Sequence, residues 1–319
     1  MDEILIKAKA KIKPQWKYAF MGCVIAGLLM HMYPMTHHFL TYDSLWNQYS
    51  NQDMITSGRQ FLMYACGISS YYDLPWVNGI LAIFYLALAS VAVVEAFEMK
   101  GKWFSAFTGV LMVTFPSLVS TFCYAYTIDG YMLAVLLAAL AYLVTRKYKW
   151  GFLAGIVLMG VSLGIYQAYY SFTILLCILG LLKDICTEEK IKQLLLKSLR
   201  YLAMGIGGYV FYVVTLKIML VLKAAEISGY QGTDRILSVS LTEIPRGIYM
   251  AFRMFGSFAL RSNVLTNNGF MVLALGVLVG CALWIYALLF KKSNAYKCVW
   301  KVLAALLLVL MIPLGATLI

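Results

Sequence analysis

The chain has 319 residues, of which 62% are hydrophobic and only 13% are charged, and its mean hydropathy is +0.80. Soluble domains carry roughly a quarter of charged residues, so this composition indicates an integral membrane protein and excludes a soluble enzyme with one membrane anchor. The net charge of +12 does not indicate a nucleic-acid partner, because polytopic proteins concentrate Lys and Arg in their cytoplasmic segments. The predicted fold class is therefore an all-α polytopic membrane protein.

Nine apolar stretches come close to the length of about 20 residues that a spanning helix needs. The predicted spans are 18–32, 77–96, 103–124, 130–144, 150–166, 169–182, 201–222, 269–290 and 299–319. A cytoplasmic N-terminus places most of the 26 Lys and Arg residues on the inner side of these spans, as the positive-inside rule requires. We therefore expect a multi-pass protein of a cell membrane whose N-terminus is cytoplasmic.

Two outer segments, 33–76 and 224–268, are too long to be simple connections, and loops of this length are usually functional. The first should contain short amphipathic helices at the membrane surface. Within the third span, Pro116 should kink the helix. We expect residues 1–319 to form one transmembrane domain, and because Ile319 ends the chain inside an apolar run, we also expect a missing C-terminal part.

Two acidic residues on the outer side are the candidates for catalysis. Asp43, in the first outer loop, could act as a general base towards a hydroxyl group, or it could cap a helix that begins at Ser44. Asp129 lies at the outer mouth of the fourth span, where a carboxylate indicates a functional site, or it could cap a helix that begins at Gly130. Two such carboxylates could also share a divalent cation.

Several other residues on the outer side are candidates for substrate binding. Arg246 and Arg253 lie on one face of a predicted amphipathic helix, where they could contact lipid headgroups or the phosphate of a lipid-linked substrate. Lys217 could join them or extend towards the membrane surface. The remaining candidates are Arg59 and Asp53 in the first loop, and Tyr166 and Gln167 in an aromatic cluster whose Gln could bind a sugar hydroxyl.

The sequence has no Walker A motif, no Gly-rich dinucleotide motif and no His/Cys spacing for zinc. Nucleotide hydrolysis and zinc chemistry therefore lack support. No cofactor is certain from the sequence, although a divalent cation is possible, so a reaction would depend on carboxylates, bases and a substrate that is already activated.

The chain resembles the type II O-antigen glucosyltransferase-like family of bacterial membrane proteins. The resemblance lies in Asp43 followed by Ser57-Gly58-Arg59, in TIDGYMLAVLLAALAYL around Asp129, and in LGIYQAYYSF from Leu163 to Phe172, and it extends from about Met21 to about Phe290. It implies a polytopic glycosyltransferase of the GT-C type, in which Asp43, Asp129 and Arg59 match the family's outer-loop acids and its Gly-Arg element. The family's first acid often has an acidic neighbour, whereas Asp43 precedes Ser44, so Asp53 stays an alternative.

Such an enzyme would transfer a hexose, such as glucose, from a polyprenyl-phosphate donor to a surface glycan acceptor, for example an O-antigen, a teichoic acid or a capsule-like polymer. The resemblance implies that Asp43 is the catalytic base or an acceptor-binding carboxylate, and Asp43 as the base fits a reaction that inverts the anomeric configuration. Two alternatives stay open from the sequence. One is a flippase for lipid-linked oligosaccharides, and the other is a polysaccharide polymerase that uses a pyrophosphate-linked glycan.

Overall fold

The computed structural model describes residues 12–37, 41–47, 49–67, 74–186, 190–228, 244–260 and 295–311, together with positions 242, 272, 276, 279 and 280. These residues form helices, turns and one isolated antiparallel bridge between Met54 and Arg59. The α-helices are α1 (Pro14–Thr36), α2 (Tyr42–Asn47), α3 (Leu62–Ala65), α4 (Pro75–Ala96), α5 (Lys102–Thr114), α6 (Pro116–Thr121), α7 (Ile128–Lys147), α8 (Gly151–Ile165), α9 (Tyr169–Cys186), α10 (Ile191–Leu222), α11 (Ile244–Leu260) and α12 (Ala295–Met311). The all-α prediction is confirmed.

Five of the described helices are long and apolar enough to cross a membrane, namely α1, α4, α7, α9 and α10. Helix α8 is apolar but has only 15 residues. The predicted spans 269–290 and 299–319 lie wholly or partly outside the described residues. A multi-pass membrane protein is therefore supported, and the count of nine spans stays a prediction.

The chain divides into two compact units. The first contains Met1–Tyr170 and Leu202–Thr233, and the second contains Ser171–Tyr201 and Asp234–Ile319. In the first unit α1 packs against α4 and α5, α4 packs against α7, and α7 packs against α8. The organisation of residues 1–319 as one transmembrane domain stays a prediction.

The predicted third span is broken rather than kinked. Helix α5 ends at Thr114, Phe115 is extended (φ −61°, ψ 134°), and Pro116 begins α6. The residue before a proline disfavours the helical conformation, and a break frees backbone carbonyl groups that then need donors. His31 of α1 supplies one, because its Nε2 lies 2.8 Å from the Val113 carbonyl oxygen and its ring is buried against Phe122.

Helix α1 also differs from the prediction, because it continues through Pro34 to Thr36 instead of ending at Met32. At the opposite end of the same bundle, the Glu95 carboxylate joins three helices. It accepts hydrogen bonds from Lys13 at 2.7 Å and from the Trp16 indole at 2.6 Å, and it pairs with Lys147. One carboxylate of α4 thus connects the start of α1 with the end of α7 at the side predicted to be cytoplasmic.

The first outer loop packs into the helical unit rather than lying only on its surface. It contains α2, a 3-10 helix over Ile55–Ser57 and α3. Leu62 and Cys66 are fully buried, and the Phe61 backbone N–H donates to the Gly164 carbonyl at 2.8 Å. A Cβ atom at Gly164 would lie 2.3 Å from the Phe61 ring, so the end of α8 accepts this loop because it has no side chain there.

Candidate active site

Arg59 closes a tight turn over residues 54–59, which we call the Arg59 turn. Its backbone N–H donates to the Met54 carbonyl at 3.1 Å, and the Gly58 N–H donates to the Ile55 carbonyl at 2.9 Å. Gly58 has a φ of +75°, which side chains other than hydrogen disfavour. A glycine at this position therefore allows the chain to reverse immediately before Arg59.

Two side chains from distant parts of the sequence hold the Gly58 carbonyl. Gln167 Nε2 donates to it at 2.8 Å and Tyr212 OH donates to it at 3.1 Å. The Gln167 amide also donates to the Ser57 carbonyl at 3.2 Å and to Tyr212 OH at 3.1 Å. The Arg59 turn is thereby fixed between the α8–α9 connection and the middle of α10.

The Arg59 guanidinium lies against two tyrosine rings. Its Nη1 donates to Tyr131 OH at 3.0 Å, and its central carbon is 4.7 Å from the Tyr166 ring centroid and 5.9 Å from that of Tyr131. The two rings stack on each other with centroids 4.6 Å apart. Arg59 Nε is buried and has no hydrogen-bond acceptor among the described residues, so its contacts within that part of the chain leave one N–H of this cation unused.

A path of tyrosines continues from Arg59 towards Asp43. Tyr126 lies within electrostatic range of Tyr131 and Asp43, and its phenol shares a hydrogen bond with the Asn47 side chain. Burial raises the pKa of the Tyr126 phenol, and Tyr131 and Asp43 raise it further. Tyr126 therefore stays neutral and can donate a hydrogen bond throughout the physiological pH range.

Asp43 lies in the first turn of α2 and is partly exposed. It is not the cap of that helix, because the Ser44 N–H donates to the hydroxyl group of Thr41 at 3.2 Å. The Asp43 carbonyl accepts a hydrogen bond from the Asn47 amide at 2.9 Å. The alternative that Asp43 caps a helix from Ser44 is wrong, and Asp43 is left partly exposed in the first turn of α2.

Asp129 is only 1% exposed and is the second residue of α7. The helix begins at Ile128 with Thr127 as the preceding residue, so the alternative that Asp129 caps a helix from Gly130 is also wrong. A carboxylate in the first helical turn is stabilised by the helix dipole, and Asp129 lies within electrostatic range of the Tyr85 phenol. Asp129 is part of the packed interior near the site rather than of its accessible surface.

The other predicted binding residues occupy three different environments. The Tyr166 ring lies against the Arg59 guanidinium, and the Gln167 amide donates to the Arg59 turn. Asp53 forms an ion pair with Lys223, and each of these two side chains is 32% exposed. Lys217 is exposed on α10, next to the exposed apolar residue Ile218, which fits a side chain that extends along lipid towards the membrane surface.

Arg246 and Arg253 lie on α11, which belongs to the second unit. Both are exposed, and the same helix exposes large apolar residues, including Ile248, Tyr249 and Met254. The helix predicted over this segment is present, and its position at the membrane interface stays a prediction. Its contact with lipid phosphate or with a substrate stays a prediction.

Within the described part of the chain, no group of three or more His, Cys, Asp or Glu side chains is placed to hold a metal ion. Asp43 and Asp129 thus form no ready-made cage with a third such ligand among those residues. That Asp43 and Asp129 could share a divalent cation stays a prediction.

Sequence reasoning did not find Tyr126, Tyr131 and Tyr212. Each is a tyrosine at the edge of an apolar stretch or within one, where the prior expectation is membrane-interface packing. The one available signal was the Ser57-Gly58-Arg59 triplet, because a glycine before an arginine in a long loop suggests a turn. Tyr212 lies 154 residues after Gly58 and 45 residues after Gln167. No local sequence pattern connects residues so far apart.

Comparisons with known proteins agree with the interpretation of a sugar-transferring membrane protein. No curated protein and no solved structure matches the chain. The family model described as "Glucosyl transferase GtrII" matches residues 32–319, a range that includes Asp43, Arg59 and all the tyrosines of the site. The chain therefore belongs to the glucosyl transferase GtrII family, whose membership implies a glycosyltransferase.

Proposed function

We propose that the protein transfers glucose, or another hexose, from a polyprenyl-phosphate carrier to a surface glycan at the outer face of a bacterial cell membrane. The observation that carries the proposal is the Arg59 guanidinium, which is fixed on Tyr131 and Tyr166 and keeps an Nε donor without an acceptor among the described residues. An arginine matches the geometry and charge of a phosphate group. In the same unit, Asp43 supplies an accessible carboxylate.

In the proposed reaction Asp43 accepts the proton of an acceptor hydroxyl group. The oxygen attacks the anomeric carbon of the donor sugar, a new glycosidic C–O bond forms, and the bond between that carbon and the phosphate oxygen breaks. Attack from the face opposite the phosphate inverts the anomeric configuration. The products are the extended glycan and polyprenyl phosphate, and the bond electrons leave with the phosphate.

Arg59 would stabilise the charge that develops on the departing phosphate. A cation that is already in place lowers the barrier because no reorganisation is needed at the moment of reaction. Tyr131 and Tyr166 support this role, since the Tyr131 hydroxyl accepts a hydrogen bond from the guanidinium and the Tyr166 ring centroid lies 4.7 Å from its central carbon. A fixed arginine, rather than a nucleotide-binding motif, suits a donor that is activated before it reaches this site.

The remaining predicted residues are proposed for further contacts with the substrates or with lipid. Asp129 would be a buried second carboxylate, Asp53 and Lys217 would contact the donor, and Tyr166 would face the sugar. The Gln167 amide, predicted to bind a sugar hydroxyl, donates instead to the turn that carries Arg59. Arg246 and Arg253 would contact the phosphates of membrane lipids or of the carrier. A divalent cation could bind the carboxylates, but a monophosphate leaving group does not require one.

Membership of a glucosyl transferase family favours sugar transfer over the flippase alternative, and transfer of a single glucose over the whole-glycan transfer of a polymerase. Placing the reaction at the outer face, with the N-terminus in the cytoplasm, rests on the distribution of basic residues. An external tag that is accessible after residue 37 in intact cells would support this orientation.

Reconstitution in lipid vesicles tests the donor. Vesicles with the wild-type protein, polyprenyl-phosphate glucose and a glycan acceptor should release polyprenyl phosphate and extend the acceptor. UDP-glucose in place of the lipid donor should give no transfer. Transfer from UDP-glucose, with none from the lipid donor, would refute the proposal.

A matched pair of arginine variants tests the phosphate contact. Arg59→Gln should lower kcat/KM for the lipid donor by about 10²–10³-fold, the range seen when one preorganised charge-stabilising donor is lost. Arg200→Gln is the control, because Arg200 is also partly buried but lies on the side predicted to be cytoplasmic. Equal activity of the two variants would remove Arg59 from the mechanism.

A further inference from the structure

We infer that Tyr212 and Gln167 are positioning residues, which hold the Arg59 turn so that its guanidinium is fixed before the donor phosphate arrives. The inference rests on the proposed function, because that function supplies the phosphate. It assigns Tyr212, a residue of α10 without a role so far, to the transfer reaction. It also replaces the predicted sugar contact of the Gln167 Nε2 group with a contact to the backbone.

The peptide unit that joins Gly58 to Arg59 is held at both of its polar ends. Its carbonyl oxygen accepts from Gln167 Nε2 at 2.8 Å and from Tyr212 OH at 3.1 Å, while its N–H donates to the Met54 carbonyl at 3.1 Å. A peptide plane fixed at both ends cannot rotate without breaking hydrogen bonds. The direction in which the Arg59 side chain leaves the backbone is therefore set by these contacts.

The next two residues are fixed as well. The Gln60 side chain is 3% exposed and donates to the Tyr212 carbonyl at 3.2 Å and to the Thr215 hydroxyl at 3.1 Å. The Phe61 N–H donates to the Gly164 carbonyl. Helix α10 thus contacts the turn through both the side chain and the backbone of Tyr212, which places this tyrosine at the centre of the attachment.

The contacts of Gln167 and Tyr212 do more than attach the loop to the helices, because the turn that they hold carries the Arg59 guanidinium. Phe61 and the buried Leu62 already anchor the loop, whereas the contacts of Gln167 and Tyr212 act on the one peptide unit that precedes the cation. A displacement of about 1 Å in a group that acts on the reacting atoms can cost 10²-fold in rate. Loosening that peptide should therefore impair catalysis more than it impairs folding.

Two variants remove these contacts with little change in size. Tyr212→Phe deletes the hydroxyl group that donates to Gly58. Gln167→Glu replaces the amide donor with a carboxylate oxygen, which would face the carbonyl groups of Ser57 and Gly58. Tyr148→Phe is the control, because Tyr148 is 63% exposed and lies on the side predicted to be cytoplasmic.

A double-mutant cycle with Arg59→Ala separates positioning from general stabilisation, since residues that act as one unit show non-additive effects. Tyr212→Phe alone should lower kcat/KM for the lipid donor about tenfold, and Tyr148→Phe should leave it unchanged. In the Arg59→Ala background, Tyr212→Phe should cost less than about twofold. Equal losses in both backgrounds, or no loss in the wild-type background, would overturn the inference.

Amide hydrogen exchange without substrate separates this inference from the proposed donor. Tyr212→Phe and Gln167→Glu should each increase the exchange of Arg59 and Gln60 at least about tenfold, because local opening becomes easier, while α1 keeps its protection. Unchanged exchange at Arg59 would overturn the inference even if the wild type transfers sugar. A wild type without transfer from the lipid donor would instead overturn the proposed function, and the exchange result would still decide whether the pair holds the turn.

Discussion

Replacing Gly58 with alanine tests the geometry of the Arg59 turn directly. The added Cβ atom would lie 2.6 Å from Tyr212 OH and 2.8 Å from Gln167 Nε2, distances shorter than ordinary van der Waals contact. The backbone at this position has a φ of +75°, which an alanine adopts only with strain. The substitution therefore displaces both donors and strains the turn at the same time.

The magnitude follows from these two effects. A left-handed conformation costs a residue with a Cβ atom about 1–2 kcal/mol. Losing the two hydrogen bonds to the Gly58 carbonyl costs about 1 kcal/mol each. Gly58→Ala should therefore destabilise the protein by roughly 3–4 kcal/mol, which lowers the melting temperature by about 5–10 °C for a protein of this size.

Thermal unfolding in detergent, followed by circular dichroism, measures this loss. Gly247→Ala is the matched control, because a Cβ atom at Gly247 of α11 meets nothing within 4 Å among the described residues, and alanine is the better helix former. The control should melt at the wild-type temperature or slightly above it. If Gly58→Ala melted with the control, the described hydrogen bonding of the turn would be wrong.

Three further substitutions test separate parts of the account. Glu95→Gln should lower the melting temperature by about 2–4 °C, because the lysines around Glu95 lose their counter-charge. The exposed control Glu98→Gln should not lower it. Equal melting temperatures of the two variants would show that the contacts of Glu95 do not stabilise the helices. Asp129→Asn should reduce transfer at least about tenfold, and full activity of folded protein would remove Asp129 from the site. Replacing Arg246 and Arg253 together by Gln should weaken the binding of an α11 peptide to vesicles with anionic lipids by about 2 kcal/mol; binding that does not depend on these arginines would refute the lipid contact.

The class of fold was predictable because it depends on composition. Apolar length and the positions of Lys and Arg are properties of the sequence itself, and the cores of the predicted spans 77–96 and 130–144 lie within α4 and α7. The break at Phe115 was not predictable. Pro116 indicated a disturbed helix, but His31 of another helix provides the donor that makes a full break tolerable.

Half of the candidate site was visible in the sequence and half was not. Asp43 and Arg59 stood out because charged residues are rare in so apolar a chain. Tyr126, Tyr131 and Tyr212 did not, since an aromatic residue near a membrane surface has a common structural explanation. What distinguishes Tyr131 and Tyr212 is contact with the Arg59 turn over long sequence distances, and such contacts arise only from the packing of α7 and α10.

The Asp43→Asn variant shows whether this carboxylate is the general base, in vesicles that contain polyprenyl-phosphate glucose and a glycan acceptor. Glu226→Gln is the control, because Glu226 is an exposed acid that follows α10. We predict that Asp43→Asn lowers kcat by about 10²–10⁴-fold, the usual contribution of a general base, while donor binding and melting temperature stay at the values of the control. Transfer by Asp43→Asn at the wild-type rate would contradict the account.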